Sequence, residues 1–192
     1  MNMKIYLASK SPRRHELLKQ IGIDFDVINI NIDEFWDGKE DPKDYTCRVA
    51  KEKARAGKNK MNDDIPVLAS DTAVILNGEI LGKAETQTDA RLMLEKLSGK
   101  THDVLSSVVL ITDKEQSLLS ISKVTFRQLT TNDINNYCES DEPLGKAGGY
   151  AIQGKGAIFI ERLEGSYSGV MGLPLYETQQ LLNNYIATDL KQ

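Results

Sequence analysis

Cysteine, histidine and long apolar runs are scarce in this chain, and each shortage excludes a class of protein. Cys47 and Cys138 are the two cysteines among 192 residues, and their spacing fits neither a disulfide framework nor a metal motif. We expect both to be reduced packing residues. His15 and His102 have no partner at metal or catalytic-triad spacing, so neither receives a catalytic role.

Apolar runs are too short for a membrane protein, because none approaches the roughly 20 residues of a membrane span. The residues before the first predicted strand, which begins at position 4, lack the basic and apolar regions of a signal peptide. We therefore expect a cytoplasmic protein that does not act at a membrane.

Positive charge is not in excess either. Lysine and arginine number 24 against 28 aspartate and glutamate residues, which gives a net charge of -4 at pH 7. Without a long basic stripe, binding to a nucleic-acid polymer or an anionic membrane is disfavoured. The chain is 40% hydrophobic and shows no repeat or linker, so we expect one domain over residues 1–192.

Hydrophobic periodicity, caps and turn residues predict a single-domain mixed α/β sheet flanked by helices. Strands are expected over 4–8, 24–32, 67–76, 80–81, 102–112, 118–129 and 157–163. Helices are expected over 12–21, 42–60, 88–97, 131–138 (capped by Thr131) and 174–185. The two long β-branched strands, 102–112 and 118–129, are expected to form an antiparallel pair.

The segment between the first strand and the first helix has the features of a phosphate site. Ser11 is a preferred N-cap and Pro12 suits the first helical position, so the helix begins beside Arg13 and Arg14. Two guanidiniums there oppose the helix dipole, whereas the free N–H groups favour an anion. With Ser9 nearby, the pattern predicts an anion site, and two solvated arginines are the alternative.

Two charged residues fall where apolar side chains are expected. Lys53 lies on the small-residue face of the helix over 42–60, so it needs a carboxylate or a bound anion as partner. Asp71 lies in a strand that is apolar on both faces and therefore central. A carboxylate there indicates a metal ligand or a general base, with a structural ion pair as the alternative.

Further candidates lie at the predicted mouth of the same site. Glu34, after the second strand, offers a second carboxylate that together with Asp71 could hold a hard divalent cation, although most such acids are merely solvated. Lys83 follows the return strand and could reach this mouth. The run 149–156 resembles a Walker A loop, but Gly156 replaces the magnesium-binding Ser or Thr, and no P-loop is expected. Gln153 could read the edge of a base or be an exposed turn residue.

Six segments carry a family resemblance. They are Leu-Ala-Ser-Lys-Ser-Pro-Arg-Arg-His-Glu-Leu-Leu at 7–18, Val-Ala-Lys-Glu-Lys-Ala at 49–54, Leu-Ala-Ser-Asp-Thr at 68–72, Leu-Ser-Gly-Lys-Thr-His at 97–102, Gly-Gly-Tyr-Ala-Ile-Gln-Gly at 148–154 and Gly-Leu-Pro-Leu at 172–175. Over nearly the whole chain this set resembles the Maf family of nucleoside triphosphate pyrophosphatases. Its Ala-Ile-Gln-Gly form is similar to the branch acting on dTTP and UTP, rather than the branch acting on 7-methyl-GTP.

The resemblance implies hydrolysis of the substrate to a nucleoside monophosphate and pyrophosphate, with a divalent cation such as Mg²⁺ or Mn²⁺, in a cytoplasmic homodimer. It also implies an elongated mixed sheet like that of inosine triphosphate pyrophosphatases. The residue roles carried over are Asp71 as proton acceptor and Glu34 as a carboxylate required for activity. Substrate choice is carried over to Arg13, Thr72 and Gln153, and phosphate binding to Ser9, Arg13, Arg14, Lys53 and Lys83. The mechanism we expect from these roles places the divalent cation on Glu34 and Asp71. A non-catalytic nucleotide sensor that regulates septum formation is the alternative within the same family.

Overall fold

The computed structural model describes residues 4–61 and 63–189. The strands are β1 (Lys4–Leu7), β2 (Asp24–Val27), β3 (Val67–Leu76), β4 (Glu79–Leu81), β5 (Thr101–Ile111), β6 (Glu115–Phe126) and β7 (Ile160–Glu164). The helices are α1 (Pro12–Gln20), α2 (Pro42–Lys60), α3 (Gln87–Leu97), α4 (Thr131–Cys138), α5 (Tyr167–Met171) and α6 (Leu175–Asp189). A 3₁₀ helix over Lys155–Phe159 precedes β7.

In these residues the strands form one mixed sheet in the order β2-β1-β3-β5-β6-β7, and β4 pairs with the end of β3. Strand β1 is parallel to both β2 and β3, whereas β5 runs antiparallel to β3 and β6. The predicted mixed sheet and the antiparallel pair are confirmed. Strand β3 lies inside the sheet, and Asp71 is opposite Ser107 of β5.

Helices cover both faces of the sheet. Helix α2 packs its alanines on one face in a cluster with Val67 and Ala69 of β3. On the other face, α1 and α6 share a second cluster with β1 through Leu18, Leu182 and Leu7. Helices α3 and α4 close a third cluster at the far end of the sheet. None of the helices in the described ranges is long and apolar enough to cross a membrane.

Strand β2 is shorter than predicted: it ends at Val27, whereas the alternation extends to position 32. The cause is its partner, because β2 pairs residue for residue with the four residues of β1, from Lys4 opposite Asp24 to Leu7 opposite Val27. Beyond that point β1 has turned toward α1, and β2 at the edge has no neighbour to pair with. The 28–41 segment therefore leaves the sheet and carries Glu34 to the site.

Several local predictions were wrong. Residues 157–159 belong to the 3₁₀ helix rather than to a strand. Thr130, not Thr131, caps α4, because its side chain and that of Asp133 form a capping box. The predicted N-cap position of Ser11 in α1 is confirmed, although its side chain makes no cap hydrogen bond. Helix α5 was not predicted, since its five residues are too short to show a periodic pattern.

Candidate active site

A cleft of about 640 Å³ brings together all of the site residues named from the sequence. They are Ser9, Arg13, Arg14, Glu34, Lys53, Asp71, Thr72, Lys83 and Gln153. They come from the β1–α1 loop and the first turn of α1, the middle of β3, helix α2, the 28–41 segment, the residues after β4 and the glycine-rich segment before the 3₁₀ helix. Their proximity is thus established, whereas their chemical roles stay predictions.

Lys53 and Asp71 form a buried ion pair at the base of the cleft. Lys53 Nζ lies 2.7 Å from Asp71 Oδ1, and both side chains are 8% exposed. The same ammonium lies 2.9 Å from Glu34 Oε1. The partner that Lys53 requires is therefore a pair of carboxylates within the protein. Because one ammonium faces two carboxylates, this trio carries net negative charge.

Glu34 links the buried trio to the cleft mouth. Its second oxygen accepts a hydrogen bond from Lys83 Nζ at 3.0 Å, and its carbonyl accepts one from the Tyr45 hydroxyl at 2.8 Å. Burial opposes ionisation of Glu34, but the charges and hydrogen bonds of Lys53 and then Lys83 outweigh it and hold its pKa below the ordinary value. Burial, followed by the charges of Asp71 and Glu34, raises the pKa of Tyr45 to about 12, so the phenol stays a donor.

Arg14 is fixed by two acceptors at the entry to α1. Its Nε donates to the Gly172 carbonyl at 2.7 Å and its Nη1 to Ser9 Oγ at 3.1 Å. Ser9 Oγ also accepts the N–H of Ser11 at 3.2 Å, so this hydroxyl holds the start of α1 as well as the guanidinium. Burial lowers the pKa values of Arg13 and Arg14, which nevertheless remain cations at neutral pH because they start near 12.5. Two closely spaced guanidiniums in one cleft favour an anionic ligand.

The Gly172 carbonyl is a junction that sequence reasoning missed. Besides Arg14, it accepts hydrogen bonds from Ser70 Oγ at 3.1 Å and Thr72 Oγ1 at 3.3 Å. Thr72 is also 2.8 Å from Ser106 Oγ, which donates to the Gly169 carbonyl at 2.6 Å. These bonds tie α5 to β3 and β5 behind the cleft. The Gly-Leu-Pro-Leu segment contributed to the resemblance, but nothing in its residue types predicted a carbonyl acceptor.

Charge in the cleft is reversed relative to the whole chain, whose net charge is -4. Six basic side chains line it, against three acidic ones: Lys10, Arg13, Arg14, Lys53, Lys83 and Lys146, with Glu34, Asp71 and Glu142. A concave wall with this excess of cations raises the local concentration of anions. The cleft is therefore suited to a polyanionic ligand of small size.

A divalent cation would find two protein carboxylates in this cleft. No group of three or more His, Cys, Asp or Glu side chains in residues 4–61 and 63–189 forms a closed metal cage. Asp71 and Glu34 both contact Lys53, however, so their carboxylates converge. Mg²⁺ is commonly held by one or two carboxylates together with substrate phosphates and waters. The donor set fits a cation of that kind that binds with a phosphate ligand.

Gln153 lies at an exposed turn that faces the cleft. The turn is closed by a hydrogen bond from Gly154 N to Ala151 O at 3.2 Å. Nearby, Ala147 forms an isolated bridge with Lys83, which places the glycine-rich segment beside the return from β4. The turn thus presents a side-chain amide, both donor and acceptor, at the opposite end of the glycine-rich segment from Lys83.

Solved structures with the same architecture define the class of fold. A HAM1 protein from Coxiella burnetii aligns with 95% of this chain and 99% of its own, with a TM-score of 0.51 and 16% identity. The Ham1 protein of Staphylococcus aureus gives a TM-score of 0.50 with 13% identity over 97% of this chain and 99% of its own. At these identities the likeness concerns the fold, and it confirms the predicted Maf/inosine triphosphate pyrophosphatase-like class.

Sequence comparison is more specific than the fold. The model of the family described as Maf-like protein matches residues 4–185, so the chain belongs to this family. A dTTP/UTP pyrophosphatase from Escherichia coli K12 is 50% identical over 185 residues, which cover 95% of this chain and 93% of that protein. A dTTP/UTP pyrophosphatase from Alkalilimnicola ehrlichii is 49% identical over 186 residues, or 94% and 92% of the two chains.

Proposed function

We propose that this protein hydrolyses dTTP and UTP to the nucleoside monophosphate and pyrophosphate. The observation that carries the proposal is the Lys53–Asp71–Glu34 trio at the base of a cationic cleft. Similarity to relatives named dTTP/UTP pyrophosphatase supports the reaction and the choice of bases. The same similarity supports a role in clearing these nucleotides from the cellular pool.

In the proposed mechanism the cations of the cleft bind the β- and γ-phosphates. Arg13, Arg14 and Lys83 come from two different segments, so together they can surround a pyrophosphate group. Their charge also stabilises the pyrophosphate as it leaves. This arrangement leaves the α-phosphorus nearest the carboxylates, which is the position that gives monophosphate and pyrophosphate.

Asp71 is proposed to accept a proton from the attacking water. It lies in the middle of β3 opposite Ser107 of β5, and Lys53 contacts its Oδ1 at 2.7 Å. A bound Mg²⁺ or Mn²⁺, held by Asp71 and Glu34 with phosphate oxygens, would supply further charge neutralisation. No covalent intermediate is required.

Gln153 is proposed to select the base. Uracil and thymine present an N3–H donor beside carbonyl acceptors, and a carboxamide can pair with both. Cytosine lacks that N3–H, so it would leave a polar group unpaired at a cost of about 1–3 kcal/mol. Arg13 and Thr72, which line the same cleft, are proposed to support this choice.

We further propose that the protein works in the cytoplasm as a homodimer and does not bind nucleic-acid polymers.

The test is a panel of UTP, dTTP, CTP, ATP and GTP with the purified protein and Mg²⁺ or Mn²⁺, with each product quantified. We expect monophosphate and pyrophosphate from UTP and dTTP.

Asp71→Asn should abolish most turnover and retain nucleotide binding, because it keeps the shape of the side chain and removes its charge. Asp113→Asn, in the exposed turn between β5 and β6, is the matched control and should behave like the wild type. Release of orthophosphate and a diphosphate, or near-normal turnover of D71N, would contradict the proposal.

A further inference from the structure

Glu142 lies beneath the turn that carries Gln153 and makes no ion pair of its own among the described residues. Its carboxylate instead accepts three hydrogen bonds. Oε1 accepts the Tyr137 hydroxyl at 2.8 Å and the N–H of Gly156 at 3.1 Å, and Oε2 accepts the N–H of Lys155 at 3.0 Å. An acidic side chain thus satisfies the first two N–H groups of the 3₁₀ helix.

Tyr137 connects this carboxylate to the other side of the turn. Its hydroxyl accepts the N–H of Ala151 at 3.1 Å while it donates to Glu142. The ring is 4% exposed and packs edge-on against Phe159 at a centroid distance of 5.0 Å. The phenol is therefore held in the core, and it ties Ala151 to the same carboxylate that holds Lys155 and Gly156.

The glycines of the turn show how closely these groups pack. A Cβ on Gly154 would meet the Glu142 carboxylate, and one on Gly156 would lie 2.9 Å from Ala151 O and 3.0 Å from the Tyr137 hydroxyl. Gly156 is the position at which the Walker A pattern requires Ser or Thr. Glycine at this position has a local cause, because Ala151 O and the Tyr137 hydroxyl leave no room for a side chain.

The charge state of Glu142 suits this role. Burial opposes ionisation, but the hydrogen bonds from Lys155 N, Tyr137 and Gly156 N outweigh it and hold the pKa of Glu142 below its ordinary value. The group is therefore an acceptor at neutral pH. Burial and the bond to Glu142 raise the pKa of Tyr137, so the phenol keeps the proton that it donates.

We propose that Glu142, acting with Tyr137, is a positioning residue for base selection. It clamps residues 151 and 155–156 on either side of Gln153, so that the carboxamide is presented in one orientation to a uracil or thymine ring. This inference rests on the proposed function, since it assigns Glu142 a part in the choice of base rather than in bond cleavage. A carboxamide whose backbone is fixed loses less entropy on pairing and tolerates mispairing less well.

The test measures the ratio of kcat/KM for UTP to that for CTP. We expect Glu142→Ala to lower this ratio by about tenfold. The change should appear in KM for UTP more than in kcat, because the catalytic carboxylates are untouched. Glu142→Gln keeps one acceptor oxygen but turns an NH₂ group toward an N–H donor, so a smaller loss is expected. Tyr137→Phe should also lower the ratio. Glu161→Gln, on the exposed side of β7, is the matched control.

A double substitution separates positioning from direct contact, because Glu142 also lines the cleft. In a Gln153→Ala background, Glu142→Ala should lower the UTP-to-CTP ratio no further, since the group that it positions is gone. An equal further drop would overturn the inference. The inference would also be overturned if E142Q, E142A and Y137F kept the UTP-to-CTP ratio of the wild type while Q153A abolished the preference for UTP. That outcome would leave the proposed function standing. No UTP hydrolysis by the wild type would instead refute the proposed function. Melting temperatures identify variants that fail to fold, and E142Q and Y137F then carry the test.

Discussion

Lys53 is the residue on which the electrostatics of the site depend most. It neutralises one of two convergent carboxylates at a position where it is itself buried. Removal of one partner of a buried ion pair leaves an uncompensated charge, which typically costs about 3–5 kcal/mol. Lys53 is therefore expected to contribute both to the stability of the fold and to the binding of an anionic ligand.

We predict that Lys53→Met lowers the free energy of unfolding at pH 7 by about 3–5 kcal/mol and weakens triphosphate binding. The deficit should shrink in acid, because Lys53 lowers the pKa of Glu34 and that contribution to stability is lost as the pH falls and Glu34 is protonated. Urea unfolding at several pH values measures the first effect, and titration with a non-hydrolysable UTP analogue measures the second. Lys43→Met, exposed in the first turn of the same helix, is the control. Wild-type stability of K53M at pH 7 would show that the ion pair contributes little.

His102 is buried in an aromatic cluster and should make stability depend on pH. It is 2% exposed and hydrogen-bonds the Tyr150 hydroxyl through Nε2 at 2.8 Å. Burial lowers its pKa from 6.5 to about 4. Between these values the unfolded chain binds a proton that the folded one excludes, so stability falls as the pH is lowered from 6.5 toward 4.

The expected loss from His102 over this interval is about 3 kcal/mol, at 1.36 kcal/mol per pKa unit. His102→Phe removes the titration and keeps an aromatic ring beside Phe126 and Tyr150. Urea unfolding of both proteins across the interval isolates the contribution, because the acidic groups titrate in both. Equal slopes for the wild type and the variant would show that His102 is protonated in the folded protein.

At the scale of elements, the position of α2 depends on the close approach of Gly57 to the sheet. A methyl group there would lie 2.9 Å from Val67 Cγ1 and 3.0 Å from the Ala8 side chain. Lys53 lies one turn earlier on the same face, so a shift of the helix would move its ammonium relative to Asp71.

Gly57→Ala is predicted to destabilise the protein by about 1–2 kcal/mol, because the steric cost of overpacking exceeds the gain of about 1 kcal/mol in helix propensity. It should also lower kcat/KM. Thermal unfolding and steady-state assays measure the two effects. Gly82→Ala, where nothing lies within 4 Å of the added methyl group, should leave stability unchanged. A stabilised and fully active G57A would show that α2 can move without consequence.

Elements differ in how well they could be predicted. The bounds of α2 and β3 were predicted to the residue, because Pro42 suits a helix start and β3 carries apolar residues on both faces around Asp71. The early end of β2 and the 3₁₀ helix were missed. In both cases the cause is a partner distant in sequence: the short β1 in one, and the Glu142 carboxylate in the other.

At the scale of the whole molecule, the residues of the candidate site also differ in how well the sequence predicts them. Lys53 and Asp71 were predictable because a charge within an apolar pattern requires an explanation whatever the fold. The Gly172 carbonyl and Glu142 were not, since a carbonyl carries no residue signal and an exposed-looking glutamate is common. The family resemblance supplied Glu34, Lys83 and Gln153. The residue patterns alone left open that these are ordinary exposed residues.

The Gly172 carbonyl also has a consequence for the order of events during synthesis. Arg14 emerges from the ribosome early, whereas its acceptor lies 158 positions later in the chain. Domains are synthesised from the N-terminus at roughly 5–20 residues per second, so about 8–30 seconds pass in which the arginine and its neighbours exist without that partner. A nascent chain can therefore build β1, α1 and β3 well before it has a competent cleft. We therefore expect activity to appear only after α5 and the residues that follow it have docked.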